Sequence, residues 1–178
     1  MTIACLGWGS LIWQPKNLKI QNKWFQDGPM LPIEFTRKSD DGKGRITLII
    51  DEDAKPVRCL WTLMTTGNLG EAKISLKERE NTSEINIHSI TKAEKADTPI
   101  KETIQRWLIT NDLDAAIWTG LSYYKDKRPT IDEVLEHLTS FKHIMGRRAE
   151  EYVRNAPKQI DTEYRRRIEK EFGWTPTE

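Results

Sequence analysis

The chain has little that would staple or anchor it. Only two cysteines occur in 178 residues, too few for a disulfide framework. No window approaches the ~20 apolar residues of a transmembrane helix, and the first residues carry neither the basic segment nor the apolar stretch of a secretory or transit peptide. The expectation is a cytoplasmic protein with no membrane partner and with Cys5 and Cys59 as buried free thiols in apolar runs. An excess of one charge is also missing. The 28 Lys+Arg against 27 Asp+Glu leave +1, which argues against nucleic acid held by bulk charge. His88, His137 and His143 lack the spacing of metal ligands, so no metal is expected. What the chain does have is seven Trp, a residue that lines cores, pockets and interfaces, and enough length for one domain with a core of its own.

The first half reads as strands. Thr2–Gly7 is apolar and ends in glycines. Leu31, Ile33 and Phe35 alternate with Pro32, Glu34 and Thr36, the period of two of a strand. Asp40–Gly44 reads as a hairpin turn and Ile46–Asp51 as the return strand. Val57–Met64, apolar on both faces, reads as a central strand. Beyond it the period changes. Asn68 suits the N-cap of a helix from Leu69. Ile85 and Ile87 suggest a further strand. Thr98 and Pro99 open a helix carrying Ile100, Ile104, Trp107 and Leu108. Ala115–Leu121 reads as a strand, and Thr130-Ile131-Asp132-Glu133 as a capping box ahead of an apolar stripe. Tyr164, Ile168 and Phe172 mark a last helix. The most polar joint, Lys92–Asp97, is too short to divide the chain. The expected class is α+β, strand-rich early with helices inserted and appended, as a single domain over residues 1–178 with a helical C-terminal extension from about residue 128.

Two features carry chemistry. Gly7-Trp8-Gly9-Ser10-Leu11-Ile12-Trp13 follows the first strand directly. Two glycines around one residue let a backbone bend and turn its N–H groups toward an anion. Dinucleotide binding would need glycine where Ile12 stands, and a nucleophile elbow would need glycines in place of Trp8 and Ile12 around Ser10. The plainer reading is a tight turn with Trp8 and Trp13 tucked into the core. The second feature is Glu80. At ~100° per residue, Leu69, Ala72 and Leu76 share a stripe, and Glu80 falls on it at the C-terminal end of the helix, while Glu78 faces water. Partial burial and the helix dipole would both favour the protonated acid there, as suits a general base working near neutrality. The plainer readings are that Glu80 turns out to water, or pairs with an Arg such as Arg37. Arg79 is expected to point outward as the partner of a carboxylate.

Together these features resemble a known family. Gly7–Pro15, G-W-G-S-L-I-W-x-P, resembles the G-Y-G-S-L-I-W-x-P signature of ChaC-type proteins and is similar to the shorter Y-G-S-N loop of γ-glutamylcyclotransferases. Leu76-Lys77-Glu78-Arg79-Glu80 resembles the L-D-x-R-E segment whose last residue is the catalytic Glu. Trp8 stands where the family has Tyr, and Lys77 where it has Asp. The resemblance covers roughly residues 3–90. It implies a γ-glutamylcyclotransferase-like fold, a small mixed, partly closed β-barrel with surrounding helices. It also implies an intramolecular aminolysis in which the amine of a γ-glutamyl amine or peptide attacks its own γ-carbonyl and releases 5-oxoproline. Glu80 would be the base, and Gly7, Trp8, Gly9, Ser10 and Leu11 would bind the small γ-glutamyl substrate, with no cofactor. A non-catalytic ligand-binding or interaction protein on the same fold is the alternative. Arg37, Trp118 and Tyr123 are further pocket candidates.

The C-terminal part is basic but diluted. Residues 142–178 hold nine Lys+Arg and seven Asp+Glu. The series Arg147, Arg148, Arg154, Lys158, Arg165, Arg166, Arg167 and Lys170 is therefore expected to form a solvated, salt-bridged helical face.

Overall fold

The computed structural model describes residues 1–39, 44–141 and 146–177. The expected turn at Asp40–Gly44, except for Gly44, and His143 lie outside the described residues. Among the described residues seven strands and five α-helices follow in order. These are β1 (Ile3–Gly7), β2 (Met30–Lys38), β3 (Ile46–Ile50), β4 (Pro56–Arg58), β5 (Leu60–Leu63), α1 (Leu69–Glu80), β6 (Ile87–Thr91), α2 (Pro99–Thr110), β7 (Ala115–Thr119), α3 (Ile131–Phe141), α4 (Gly146–Asn155) and α5 (Glu163–Phe172). The α+β class holds, with two sheets, and no barrel closes among the described residues. None of the described helices is long and apolar enough to cross a membrane.

Contacts divide the chain into two units interleaved in sequence: Met1–Gly7, Gln14–Leu31 and Arg58–Gly120 in the first, and Trp8–Trp13, Pro32–Val57 and Leu121–Glu178 in the second. In the first unit a four-stranded sheet runs β5-β1-β7-β6. β1 is antiparallel to β5 and parallel to β7, and all five of its residues are buried. Its central place explains its apolar run, since a strand covered on both faces needs no polar alternation. The helix caps form as the residue types dictate. Asn68 accepts from the Glu71 N–H at 3.1 Å, and Thr98 from the Lys101 N–H at 3.3 Å. Both cysteines are buried and free, and burial pushes both thiols well above the usual range.

One expected strand is in fact two. The run Val57–Met64 breaks at Cys59, so that β4 joins a second sheet of order β3-β2-β4 while β5 ends the first. At the break the Cys59 N–H donates to Pro29 O. There the Cys59 carbonyl lies 2.5 Å from where a Cβ on Gly28 would stand, so only glycine fits. β5 is apolar on both faces although it is not central, because the segment around Ile20 and Phe25 covers its outer edge through bridges to Met64 and Trp61. Phe25 stacks on Trp61 at 4.5 Å, and Trp61 meets Trp107 edge-on at 5.3 Å. Both indole N–H groups end on Asp27, one on its carboxylate and one on its carbonyl. Ile85 lies in a 3-10 turn ahead of β6, outside the strand expected of it.

In the second unit both sets of alternating residues of β2 are buried: Glu34 and Thr36 as well as Phe35. The capping box forms as expected, with reciprocal bonds between Thr130 and Glu133. The C-terminal basic series is only partly a solvated face. Arg166 pairs with Asp161 at 2.9 Å near water, but Arg165 is 1% exposed. Its five N–H groups all have acceptors: the carbonyls of Val153, Ala156, Pro157 and Ile160, and the Glu169 carboxylate. A guanidinium carries five donors in a fixed fork, and here they satisfy the open carbonyls at the end of α4 and the turn after it. Burial pulls its pKa below the ordinary arginine value.

An ammonium cannot span that set of acceptors. Arg165→Lys is expected to lose at least ~2 kcal/mol of stability, since bonds to charged groups contribute ~1.5–3 kcal/mol each. Urea denaturation checks this, and a loss below ~0.5 kcal/mol would contradict the role.

Candidate functional site

In the first unit, Arg79 links the end of α1 to Gln14. The buried positions of α1 are Ala72, Ser75, Leu76 and Arg79, which keep Ala72 and Leu76 of the expected stripe but put Ser75 and Arg79 in place of Leu69 and Glu80. Ser75 tips the balance. It is small enough to bury, and its hydroxyl accepts from the Lys19 N–H at 3.0 Å. Arg79 therefore turns inward, at 7% exposure, instead of outward as expected. Its Nε and Nη2 donate to Gln14 O at 3.2 and 2.7 Å, and Gln14 is the unspecified position of G-W-G-S-L-I-W-x-P. Its Nη1 donates to Glu80 Oε1 at 2.7 Å.

Glu80 pairs with an Arg, as one of the plainer readings has it, although with Arg79 and not with Arg37. Its side chain is 18% exposed and ion-paired with its neighbour Arg79. It is the last residue of α1, which stops because Asn81 adopts a left-handed conformation (φ 49°) and donates its N–H to the Glu78 and Lys77 carbonyls. Glu80 and Arg79 both act on the buried Cys5 thiol of β1. Burial raises its pKa most, the Glu80 charge adds to the rise and the Arg79 charge opposes it. The pair engages Oε1, so the carboxylate keeps Oε2 as a proton acceptor.

In the second unit, the loop after β1 is built for packing. Gly9 does not take positive φ; among the described glycines only Gly44 and Gly173 do. It is glycine because a Cβ there would lie 2.4 Å from the Tyr152 hydroxyl oxygen. Ile12 N–H donates to Gly9 O at 3.0 Å and closes the turn. Trp8 is 6% exposed, and its indole N–H donates to Leu48 O at 3.3 Å. The Leu48 N–H donates to the Tyr152 hydroxyl at 3.3 Å. β3 is an edge strand of its sheet, and an edge leaves peptide groups without partners. Trp8 and Tyr152 supply those partners at Leu48. Trp13 meets Tyr152 edge-on at 5.4 Å. Gly9 and Leu11 are buried and Ser10 is half-buried. For Trp8 the plainer reading, a ring tucked into the core, is what the structure has.

The remaining candidates fall in both units. Gly7 and Trp118 belong to the first unit with Glu80; Arg37 and Tyr123 belong to the second with Trp8–Leu11. Trp118 is buried in β7 with its ring 5.9 Å from that of His88. Arg37 is half-buried on β2, and its carbonyl accepts from the Thr47 hydroxyl at 3.3 Å. Tyr123 donates to Asp51 at 2.8 Å. Burial, then that bond, raises its pKa to about 12, so the phenol stays protonated near neutrality and serves as a donor.

Asp51 opens a polar network that sequence reasoning misses. Its carboxylate also accepts from Arg128 Nε at 2.8 Å, and Arg128 Nη1 donates to the Tyr164 hydroxyl at 3.0 Å. The buried Glu34 accepts from its neighbour's N–H, from the Thr162 hydroxyl and from the Tyr164 N–H. Burial raises its pKa, and these bonds pull the other way. Its carboxylate sits at the N-terminus of α5, where a negative charge is favoured. The Glu34 and Thr162 positions are 128 residues apart, and no local spacing rule connects them. Nor does a polar residue stand out in β2, which also carries Thr36, Arg37 and Lys38.

No group of three or more His, Cys, Asp or Glu among the described residues is arranged to hold a metal ion. His137 is used on Gly44 O at 3.1 Å. Comparison with protein-family models, with curated proteins and with solved structures finds no match for this chain.

The packing explanation of Gly9 has a direct test. Gly9→Ala is expected to cost about 1–3 kcal/mol by overpacking. In a Tyr152→Phe background the clashing oxygen is gone and the ring carbon lies at 3.5 Å, so the same substitution should cost markedly less. Strict additivity of the two losses on denaturation would contradict it.

Proposed function

We propose that this chain is a γ-glutamylcyclotransferase-like enzyme with Glu80 as general base and a small γ-glutamyl amine or peptide as substrate. The observation that carries the reading is the Arg79–Gln14 link. A guanidinium from the L-K-E-R-E segment bonds the backbone of the G-W-G-S-L-I-W-x-P segment, and the same guanidinium holds Glu80 at 2.7 Å. Two stretches recognised separately in the sequence are thus joined through the residue beside the candidate base. The fold kinship implied by the resemblance belongs to the same proposal.

The chemistry needs little machinery. The substrate α-ammonium gives a proton to Glu80. The freed amine attacks the γ-carbonyl carbon and a C–N bond closes the five-membered ring. The old γ-amide C–N bond then breaks as Glu80 returns that proton to the departing amine; the ring nitrogen gives up its second proton through the same carboxylate, so that the lactam N–H is left and the amine departs as an ammonium. Nucleophile and electrophile belong to one molecule, so holding it in a near-attack geometry supplies much of the acceleration. The reaction requires neither metal nor cofactor.

One observation favours a second reading, a non-catalytic binding protein. Trp8, which stands where the family has Tyr, commits its only polar hydrogen to Leu48 O. The two readings separate in one assay. Incubation with γ-glutamyl amides and glutathione should release 5-oxoproline, and Glu80→Gln should lower the rate at least ~100-fold, the usual size of a general-base contribution. Equal release by wild type and variant overturns the role of Glu80. A γ-glutamyl amide that raises the melting temperature without conversion favours the second reading.

A further inference from the structure

The second unit contains a cleft of about 230 Å³ lined by Thr36, Lys38, Tyr124, Lys125, Lys127, Pro129 and Glu133. It is independent of the proposed cyclotransferase chemistry, because neither Glu80 nor any residue of the Gly7–Leu11 loop lines it. Its size is just below the ~300–1,000 Å³ of sites for drug-sized ligands, so it suits a smaller molecule.

Three observations say what that molecule is. The lining carries three lysines against one glutamate. That glutamate is already committed: Glu133 accepts from Lys127 Nζ at 2.9 Å and from the Thr130 N–H at 2.9 Å. Lys38 adds to the positive field at Glu133, and Lys125 has its ammonium 5.3 Å from the centre of the Tyr124 ring. Two positive charges are left without a matching carboxylate in the lining. Next, Thr36 is fully buried and its hydroxyl has no hydrogen-bond partner. A buried hydroxyl left unmade costs about 1–3 kcal/mol, and this one lines a cleft of lysines. Finally, Lys125 and Asp126 both take positive φ, at 54°, a conformation that non-glycine residues adopt at a cost and that clusters at binding sites.

We propose that this cleft binds a small phosphomonoester. A phosphate carries close to two negative charges at neutral pH and three acceptor oxygens, matching two uncompensated ammonium groups and a hydroxyl donor. Lysine recognises phosphate as a point charge, and the lining holds no arginine fork for a planar carboxylate. The Tyr124 ring, 42% exposed, offers a face for the organic part. Thr36 is covered in this structure, so the anion reaches its hydroxyl when a lining lysine, on its long flexible stem, swings toward the phosphate.

Calorimetric titration with phenyl phosphate tests this, with succinate as a dianion control at matched ionic strength. Phenyl phosphate should bind saturably at roughly millimolar or tighter, and succinate at least five-fold more weakly. Thr36→Val keeps the shape and removes the hydroxyl; it should weaken phenyl phosphate at least five-fold, while Thr36→Ser stays within two-fold of wild type. Lys125→Gln, on an exposed turn, should also weaken it at least five-fold. Absence of saturation, equal binding of succinate, or an unchanged affinity in Thr36→Val overturns the proposal.

Discussion

A guanidinium taken out of water needs an acceptor for its N–H groups, and each unit of this protein contains one that has found them. In the second unit Arg165 gathers four carbonyls and a carboxylate around the end of α4. In the first, Arg79 binds Gln14 O twice and the Glu80 carboxylate once. Burying such a group is costly unless every partner is in place. Each arginine therefore fixes the backbone it touches: the end of α4 and its following turn in one case, the stretch after the glycine loop and the last turn of α1 in the other.

The position of Glu80 follows from this constraint. α1 turns Ser75 and Arg79 inward, and the carboxylate one residue on becomes the counter-ion at the rim. It is kept part-buried and anchored by one oxygen, as a positioned base requires. The glycine loop meets a different demand. Gly9 gives room to the Tyr152 hydroxyl, and Trp8 and Tyr152 close the outer edge of β3 at Leu48. The abundance of Trp follows the same logic. The indole N–H groups of Trp8, Trp61 and Trp107 all reach backbone or side-chain acceptors, so large rings can be buried without orphaned donors.

Features set by neighbours in sequence were legible in advance. The caps at Asn68, Thr98 and Thr130 rest on residues three positions apart, and β1, β3, β7, α2, α3 and α5 follow from periodicity. Features set by distant partners were not. Glu34 reads only as one residue of a period-two strand, because the Thr162 and Tyr164 groups that satisfy it lie far along the chain. Arg165 reads as one more surface charge for the same reason. The run Val57–Met64 hides a change of sheet at Cys59, since apolar character does not say which sheet a strand joins. The stripe of α1 is legible at Ala72 and Leu76 but not at Ser75 and Arg79, because serine counts as polar in a periodicity argument, although a small hydroxyl with a backbone partner buries readily. Glu80 stands out as an anomaly in the stripe, and Arg79 reads as an outward partner for a carboxylate; the carboxylate it meets is Glu80, and the guanidinium is buried.

The claim that the Arg79–Glu80 pair organises the candidate site is measured most directly by a double-mutant cycle. Stabilities of wild type, Arg79→Met, Glu80→Gln and the double variant give the coupling between the two side chains. A favourable coupling of about 1 kcal/mol or more is predicted. Independent, additive losses with a coupling near zero would contradict the account.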